Sequence, residues 1–223
     1  MEVNKATPAW LDPSHPNFKR WETARNLSIE RGKFVRSMIE QNIETKNLSV
    51  LDLGSGEGGT ANVFSLDNFV VSFDLSLIRL KRQLLDVIPK NPDFNRETEE
   101  SVAYNTVISK ESSYATEKSV VNGTALQLPF SDHSFDLIII QDVIEHLNET
   151  KFFIDEVKRV LKPKGMIYLS TPNKYSLFNF LSDPHFGLPV VSVLKRESIK
   201  KYFLKHFRKN DLNRQDIAQL LSL

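Results

Sequence analysis

Ser49-Val50-Leu51-Asp52-Leu53 runs without a break into Gly54-Ser55-Gly56-Glu57-Gly58-Gly59. A largely apolar stretch followed by four glycines in six residues reads as a buried strand, a turn of close-approaching backbone and a helix start. A second apolar run, Phe69-Val70-Val71-Ser72-Phe73, closes on Asp74 and leads into Leu77, Leu80, Leu84 and Leu85 at helical spacing. The two units together make a βαβα opening. Upstream, Ala24, Leu27, Phe34, Val35, Met38 and Ile39 recur at helical spacing, which predicts an amphipathic helix over about residues 17 to 43.

The pattern resumes further along the chain. Ser119-Val120-Val121 is a short strand, and Phe135-Asp136-Leu137-Ile138-Ile139-Ile140 has the continuous apolar character of a strand buried on both faces. Asn148 is placed to cap a helix whose apolar face is Phe153, Ile154, Val157, Val160 and Leu161, with Pro163 and Gly165 stopping it. Gly165 to Thr171 forms a fifth strand, with its central residues Met166 to Ser170, closed by Pro172. Strands alternating with helices predict an α/β fold, a Rossmann-like doubly wound sheet of five parallel strands in the order 3-2-1-4-5. Residues 1–16, with Pro8, Pro13 and Pro16, read as an irregular lead-in to a single domain over 17–223. Within it, 89–117 reads as a polar insertion and 175–223 as a lid and C-terminal helices.

Composition narrows the chemistry. A chain of 223 residues can bury roughly 70% of its unfolded surface in one core. With no cysteine there is no disulfide framework, no thiolate zinc site and no cysteine nucleophile, which fits a reducing compartment. The first twenty residues lack the apolar stretch of a signal peptide, and no apolar run is long enough for a transmembrane segment, so the expected location is the cytoplasm. Lys and Arg total 29 against 28 Asp and Glu, leaving no global field that would draw nucleic acid.

In a doubly wound sheet, ligands bind beyond the carboxyl ends of the strands. The glycine loop alone is ambiguous there: Gly54, Gly56 and Gly59 satisfy the dinucleotide pattern, while Asp52, Gly54, Gly56 and Gly58 satisfy D-x-G-x-G-x-G. The joint set discriminates between them. After that loop come Asp74 closing the second strand, Leu128-Pro129-Phe130, Asp142-Val143-Ile144-Glu145-His146 and Leu161-Lys162-Pro163-Lys164-Gly165, in that order. With this set the sequence resembles the class I S-adenosylmethionine-dependent methyltransferases over roughly residues 17 to 180. Glu145-His146 and Ser170-Thr171-Pro172-Asn173 are most similar to the branch holding the ubiquinone-biosynthesis O-methyltransferases and bacterial small-molecule and glycan methyltransferases. A nicotinamide-dependent oxidoreductase is the first rival, but it has no use for Leu128-Pro129-Phe130 or the Lys-Pro-Lys-Gly turn. A non-catalytic cofactor-binding module is the second.

The resemblance implies S-adenosyl-L-methionine as cofactor and O-methylation of a small-molecule or glycan-linked acceptor. It implies that Asp74 accepts hydrogen bonds from the ribose hydroxyls, as an ionised carboxylate can. Gly54, Gly56 and Gly58 would let the chain pass close to the ribose and methionine, and Asp52 would orient the loop and attract the cofactor's cationic groups. Thr124, Ala125 and Leu126 would line the adenine ring; Thr124 stands where the family has an aspartate, so its hydroxyl or the Asn122 amide would have to substitute. Ser55, Leu75 and Gln141 complete the implied cofactor site. His146 is the candidate general base, with Asp142 beside it as a second catalytic candidate. His146 could instead cap a helix, and Asp142, Glu145 and His146 also match a set that binds a divalent metal in the quinone branch. Carboxylates and histidines this close together are common on solvated turns, so no metal site is assigned.

Tyr175 to Leu194, with Phe178, Phe180, His185, Phe186 and Leu188 around Pro184 and Gly187, is either a lid over an apolar or cyclic acceptor or a packed extra helix and loop. Lys195, Arg196, Lys200, Lys201, Lys205, Arg208, Lys209 and Arg214 read as the solvated face of a helix with Ile199, Phe203, Leu204 and Phe207 opposite. His15, His133 and His206 carry no functional assignment. The family normally adds two strands after the fifth; none is legible after Thr171, and Asp211 to Leu223 reads as a helix. The expectation is a truncated or shortened member lacking strands 6 and 7, impaired as a monomer, with the fifth-strand edge open unless the 175–194 segment or a homo-oligomer covers it.

Overall fold

The computed structural model describes residues 18–87, 118–181 and 189–207. The 89–117 insertion, the 1–16 lead-in, His15, His185 and Asp211 to Leu223 lie outside the described residues. Five strands, β1 (Ser49–Leu53), β2 (Phe69–Asp74), β3 (Lys118–Asn122), β4 (Phe135–Gln141) and β5 (Leu161–Ser170), form one sheet in the order β3-β2-β1-β4-β5. All four pairings are parallel. The helices are α1 (Phe18–Ile39), α2 (Gly59–Phe64), α3 (Leu77–Val87), α4 (Thr150–Val160) and α5 (Leu177–Leu181).

Side chains alternate across each strand, so each strand feeds two cores. On one face, Leu51, Leu53, Val71, Phe73, Ile138 and Ile140 pack with Phe153, Val157 and Val160 of α4. On the other, Val50, Val70, Leu137 and Ile139 meet Val35 and Ile39 of α1 and Ala61 and Phe64 of α2. Both faces being covered explains why β4 carries an unbroken apolar run.

The motifs around β4 turn out to be structural joints. Leu128 is buried, its N–H donates to Glu156 of α4 (2.7 Å), and the Phe130 ring meets Phe73 and Phe135 edge-on. Arg159 holds the same loop by donating to the Leu128 and Phe130 carbonyls while pairing with Glu156 and Asp132. Those bonds hold the Glu156 carboxyl down at about 2, the paired Arg159 acting first. The chain passes from α4 into β5 with no intervening loop, and β5 bulges where Phe135 pairs Leu161 but Leu137 pairs Met166. Lys162 in that bulge donates to Asp136 of β4 (2.8 Å), and Lys164 takes the left-handed turn (φ 68°).

Helix α1 departs from its predicted face. Val35 and Ile39 are buried, but Ala24, Leu27 and Phe34 are exposed. The contact is made through small residues: a Cβ on Gly59 would lie 2.2 Å from the Ser28 backbone, and one on Gly32 2.8 Å from the Thr60 Cα. Arg36 then ties α1 to the end of α2 by pairing with Asp67 and donating to the Val63 carbonyl.

Two further expectations need correcting. Asn148 does not cap α4; Glu149 stands at the cap position with no side-chain bond, and Asn148 instead accepts from Arg196. The 195–207 stretch is not a plain solvated helix but a π-helical run, Ile199–Leu204, between two single turns, with Ile199 buried. Among the described residues no strand follows β5, and its Ile167 and Leu169 are exposed. Helix α5 packs none of its side chains away; Phe178 is 83% exposed.

The α1 crossing generates a test. Gly59→Ala should lower stability by about 1–3 kcal/mol, the usual range for overpacking, read as a drop in the urea midpoint. An unchanged midpoint would mean that α1 can stand off without cost.

Candidate cofactor and active site

Strand register brings the sheet's carboxyl ends into line: Leu53 beside Phe73 and Ile140, Asp74 beside Asn122, and Gln141 beside Ser170. The order reverses at β1, between β2 and β4, and the glycine loop leaves β1 there. Its first two N–H groups, on Gly54 and Ser55, both donate to the Phe73 carbonyl, at 2.8 and 3.0 Å. Gly56 N–H donates to Asp74 Oδ2 (2.8 Å), and Ser76 N–H donates to Oδ1 (2.7 Å). Each carboxylate oxygen keeps a further lone pair for a ligand.

The glycines do different jobs. Gly54, Gly56 and Gly58 all have positive φ, at 82°, 53° and 77°. The space beside Gly54 is filled by Val143, whose Cγ2 would lie 2.2 Å from an added Cβ. A Cβ on Gly56 would meet only Arg79 Nη1 at 3.7 Å and the Gly54 carbonyl at 4.0 Å, ordinary contact distances. Beneath Gly58 lies the side chain of Gln83.

Asp52 is 2% exposed and lies on the α2 side of β1, where Oδ2 accepts the Ala61 N–H in the first turn of α2 (3.1 Å). It thus orients the helix that follows the loop, as a carboxylate at a helix N-terminus does. Burial pushes its carboxyl up to about 7, against the lowering effects of Lys118 and the Ala61 bond.

The third strand's turn sits beside the end of β2. Asn122 donates through Nδ2 to the Asp74 and Leu75 carbonyls, and Gly123 N–H donates to Asp74 O. The Asn122 amide nitrogen is therefore committed to backbone, leaving Oδ1 as its acceptor. Thr124 is exposed and its Oγ1 accepts Leu126 N–H (3.3 Å), while Ala125 and Leu126 pack partly into the core. Leu75 is 78% exposed next to Asp74, an apolar side chain offered to solvent at the rim of the loop.

Beyond β4, Gln141 donates through Nε2 to Thr60 Oγ1 (2.8 Å), and its Oε1 is buried without a partner. Asp142 has a left-handed backbone (φ 53°) and is ion-paired at 2.6 Å with Arg31 of α1, a residue that no sequence motif marks. Glu145 is 1% exposed; Oε2 accepts from Thr171, Oε1 has no partner, and burial pushes its carboxyl up. His146, half-buried, ends a 3₁₀ turn over Ile144–His146. Asp142 and Glu145 thus point to different partners, and among the described residues no three His, Asp or Glu side chains gather as metal ligands.

Arg196 corrects the reading of the C-terminal charge run. It donates to the Glu145 and Leu147 carbonyls and to Asn148, bracing the turn that carries His146. Other sites are local. His133 bonds the Leu161 carbonyl through Nδ1, and His206 bonds its neighbour Tyr202.

The family model described as "Methyltransferase domain" matches residues 51–169. An uncharacterized protein of Methanocaldococcus jannaschii is 29% identical over 178 residues, 79% of this chain and 63% of its own. The mitochondrial ubiquinone biosynthesis O-methyltransferase of Dictyostelium discoideum is 28% identical over 66% of this chain and 42% of its own. The glycine/sarcosine/dimethylglycine N-methyltransferase of Actinopolyspora halophila is 29% identical over 67% of this chain and 22% of its own. The chain thus spans less than two thirds of the length of each. Among solved structures, an S-adenosylmethionine-dependent methyltransferase from Aquifex aeolicus is 17% identical, covering 76% of both chains with a TM-score of 0.48.

The buried Asp52 sets a pH dependence. Its folded-state value lies above the unfolded 3.8, so the native state holds the extra proton and stability falls as pH rises from about 4 to 7. Asp52→Asn should flatten that slope, removing roughly 3–5 kcal/mol of difference between pH 4 and pH 8 in urea titrations.

Proposed function

The chain belongs to the methyltransferase-domain family, the class I S-adenosylmethionine-dependent methyltransferases, and from that we propose that it transfers a methyl group from S-adenosylmethionine to a small-molecule or glycan-linked oxygen acceptor in the cytoplasm. The observation that carries the reading is the Asp74 carboxylate, which ends β2, receives the Gly56 N–H and retains acceptor capacity. Two further features support the cofactor: Gly56 takes a left-handed backbone (φ 53°) with no close side chain over it, and exposed Leu75 offers an apolar surface beside the ribose position.

When bound, S-adenosylmethionine would supply an electrophilic methyl group on its sulfonium, with the neutral thioether S-adenosylhomocysteine as the leaving group of an in-line displacement. The chain's own residues align and deprotonate. In this reading Asp74 holds the ribose, the glycine loop admits the methionine portion, and Thr124, Ala125 and Leu126 flank the base. His146 takes the hydroxyl proton of the acceptor. Asp142 suits the base role less well, because Arg31 already holds its carboxylate; we assign it to fixing the turn. The exposed Tyr175, Phe178 and Leu181 are supporting surfaces for an apolar acceptor. A second copy covering exposed Ile167 and Leu169 on the β5 edge belongs to the same reading.

No helix among the described residues is long and apolar enough to cross a membrane.

Calorimetric titration tests the cofactor directly: S-adenosylmethionine and its demethylated product should bind, and NAD should not. Asp74→Ala should weaken binding about 10- to 100-fold, as loss of hydrogen bonds to a charged group does. Unchanged affinity would overturn the assignment of Asp74. His146→Ala should cut turnover by roughly 10²–10⁴-fold with cofactor affinity retained. Full turnover by that variant would remove His146 as the base.

A further inference from the structure

Gln83 lies in the middle of α3, away from every motif that marks the cofactor loop, yet its side chain is 1% exposed and ends under that loop. Its Nε2 donates twice, to Ser55 Oγ (3.0 Å) and to the Gly56 carbonyl (2.8 Å). The loop is shaped around it, since a Cβ on Gly58 would fall 2.4 Å from the Gln83 amide carbon and oxygen. Its Oε1 is buried with no hydrogen-bond partner. A buried amide with one unsatisfied end is a costly residue to keep for filling space, which an apolar side chain of similar size would do better.

The geometry points to Gln83 as a positioning residue for the cofactor, acting through Ser55 and Gly56. The direction of its bonds is what matters. Because the Ser55 oxygen accepts from Gln83, the hydroxyl hydrogen is left to donate elsewhere, and Ser55 is only half-buried. The amide thereby turns Ser55 into an outward donor. The second bond takes up the Gly56 carbonyl and so fixes the peptide whose neighbouring N–H donates to Asp74. One side chain thus sets both a donor on the loop and the bond that aims the Asp74 carboxylate. Glutamate at this position could not donate to either group; it would accept from Ser55 and reverse the hydroxyl.

This inference rests on the cofactor reading above. The experiment is calorimetric titration of S-adenosylhomocysteine into the unmodified protein, Gln83→Met, Gln83→Glu, Ser55→Ala and the Gln83→Met/Ser55→Ala double variant. Thermal unfolding is run on each, and steady-state kinetics where turnover is measurable. Gln83→Met should weaken binding about tenfold, raise KM for S-adenosylmethionine and leave kcat at saturation unchanged. Gln83→Glu should weaken binding at least as much. Ser55→Ala should weaken it several-fold, and the double variant should bind no more weakly than Gln83→Met alone, since the two act through one hydroxyl. A Gln83→Met protein that unfolds at the normal temperature and binds normally overturns the inference. Should that variant not fold, normal binding by Ser55→Ala overturns it as well. If the unmodified protein fails to bind, the cofactor reading falls and takes this inference with it; if it binds and the variants match it, only this inference falls.

Discussion

The end of β2 is the fixed point of the structure. The Phe73 carbonyl accepts two successive N–H groups from the glycine loop, Gly54 and Ser55, and the Asp74 carboxylate accepts the next, from Gly56. A tight turn at the carboxyl end of a buried parallel strand leaves backbone donors that cannot reach a neighbouring strand and must find acceptors nearby. Here they find them on the adjacent strand, which ties the loop's conformation to the register of β1 on β2. The same tie brings the β3 turn to the site, through Asn122 and Gly123 on the Asp74 and Leu75 carbonyls. The loop from β4 then closes against Gly54 through Val143.

Much of this was legible in the sequence because parallel sheets advertise themselves. Val50 to Leu53, Val70 to Phe73 and Leu137 to Ile140 are buried on both faces, so their runs are dominated by apolar residues, broken only by Asp52 and Ser72. What escaped the sequence depends on contacts between distant segments. The apolar side chains of α1 spaced for a core are partly exposed, because the helix docks through Gly32 and Ser28 against Gly59, and a close approach of small residues leaves no hydrophobic periodicity. Asn148 has the right residue type for a cap, but Arg196, 48 positions away, claims it. Arg31 and Gln83 sit in ordinary helical polar positions, and only the folded chain shows what they reach.

The candidate site was proposed from positions in the sequence, and its interactions were not legible there. Asp142, Glu145 and His146 are neighbours in sequence, yet the left-handed backbone at Asp142 and the tight turn after it send Asp142 to α1 and Glu145 under the loop to Thr171. Sequence proximity suggested a cluster; the turn separates the two carboxylates. The Leu128-Pro129-Phe130 and Lys-Pro-Lys-Gly segments, useful as family markers, owe their character to docking on α4 and on Asp136 rather than to chemistry.

The grip of Arg196 on the Glu145 and Leu147 carbonyls joins two parts of the chain that would otherwise open separately. Proteins loosen in cooperative units, and a unit's extent is set by which hydrogen bonds must break together. The 144–148 turn has few regular backbone bonds of its own, so its persistence is borrowed from the segment that carries Arg196. Any event that peels residues 189–207 from the body of the domain, whether thermal fraying, cleavage or displacement by another molecule, would release the His146 turn at the same moment. Local order around His146 is therefore governed from the far end of the described chain, while the glycine loop, anchored on β2, is not.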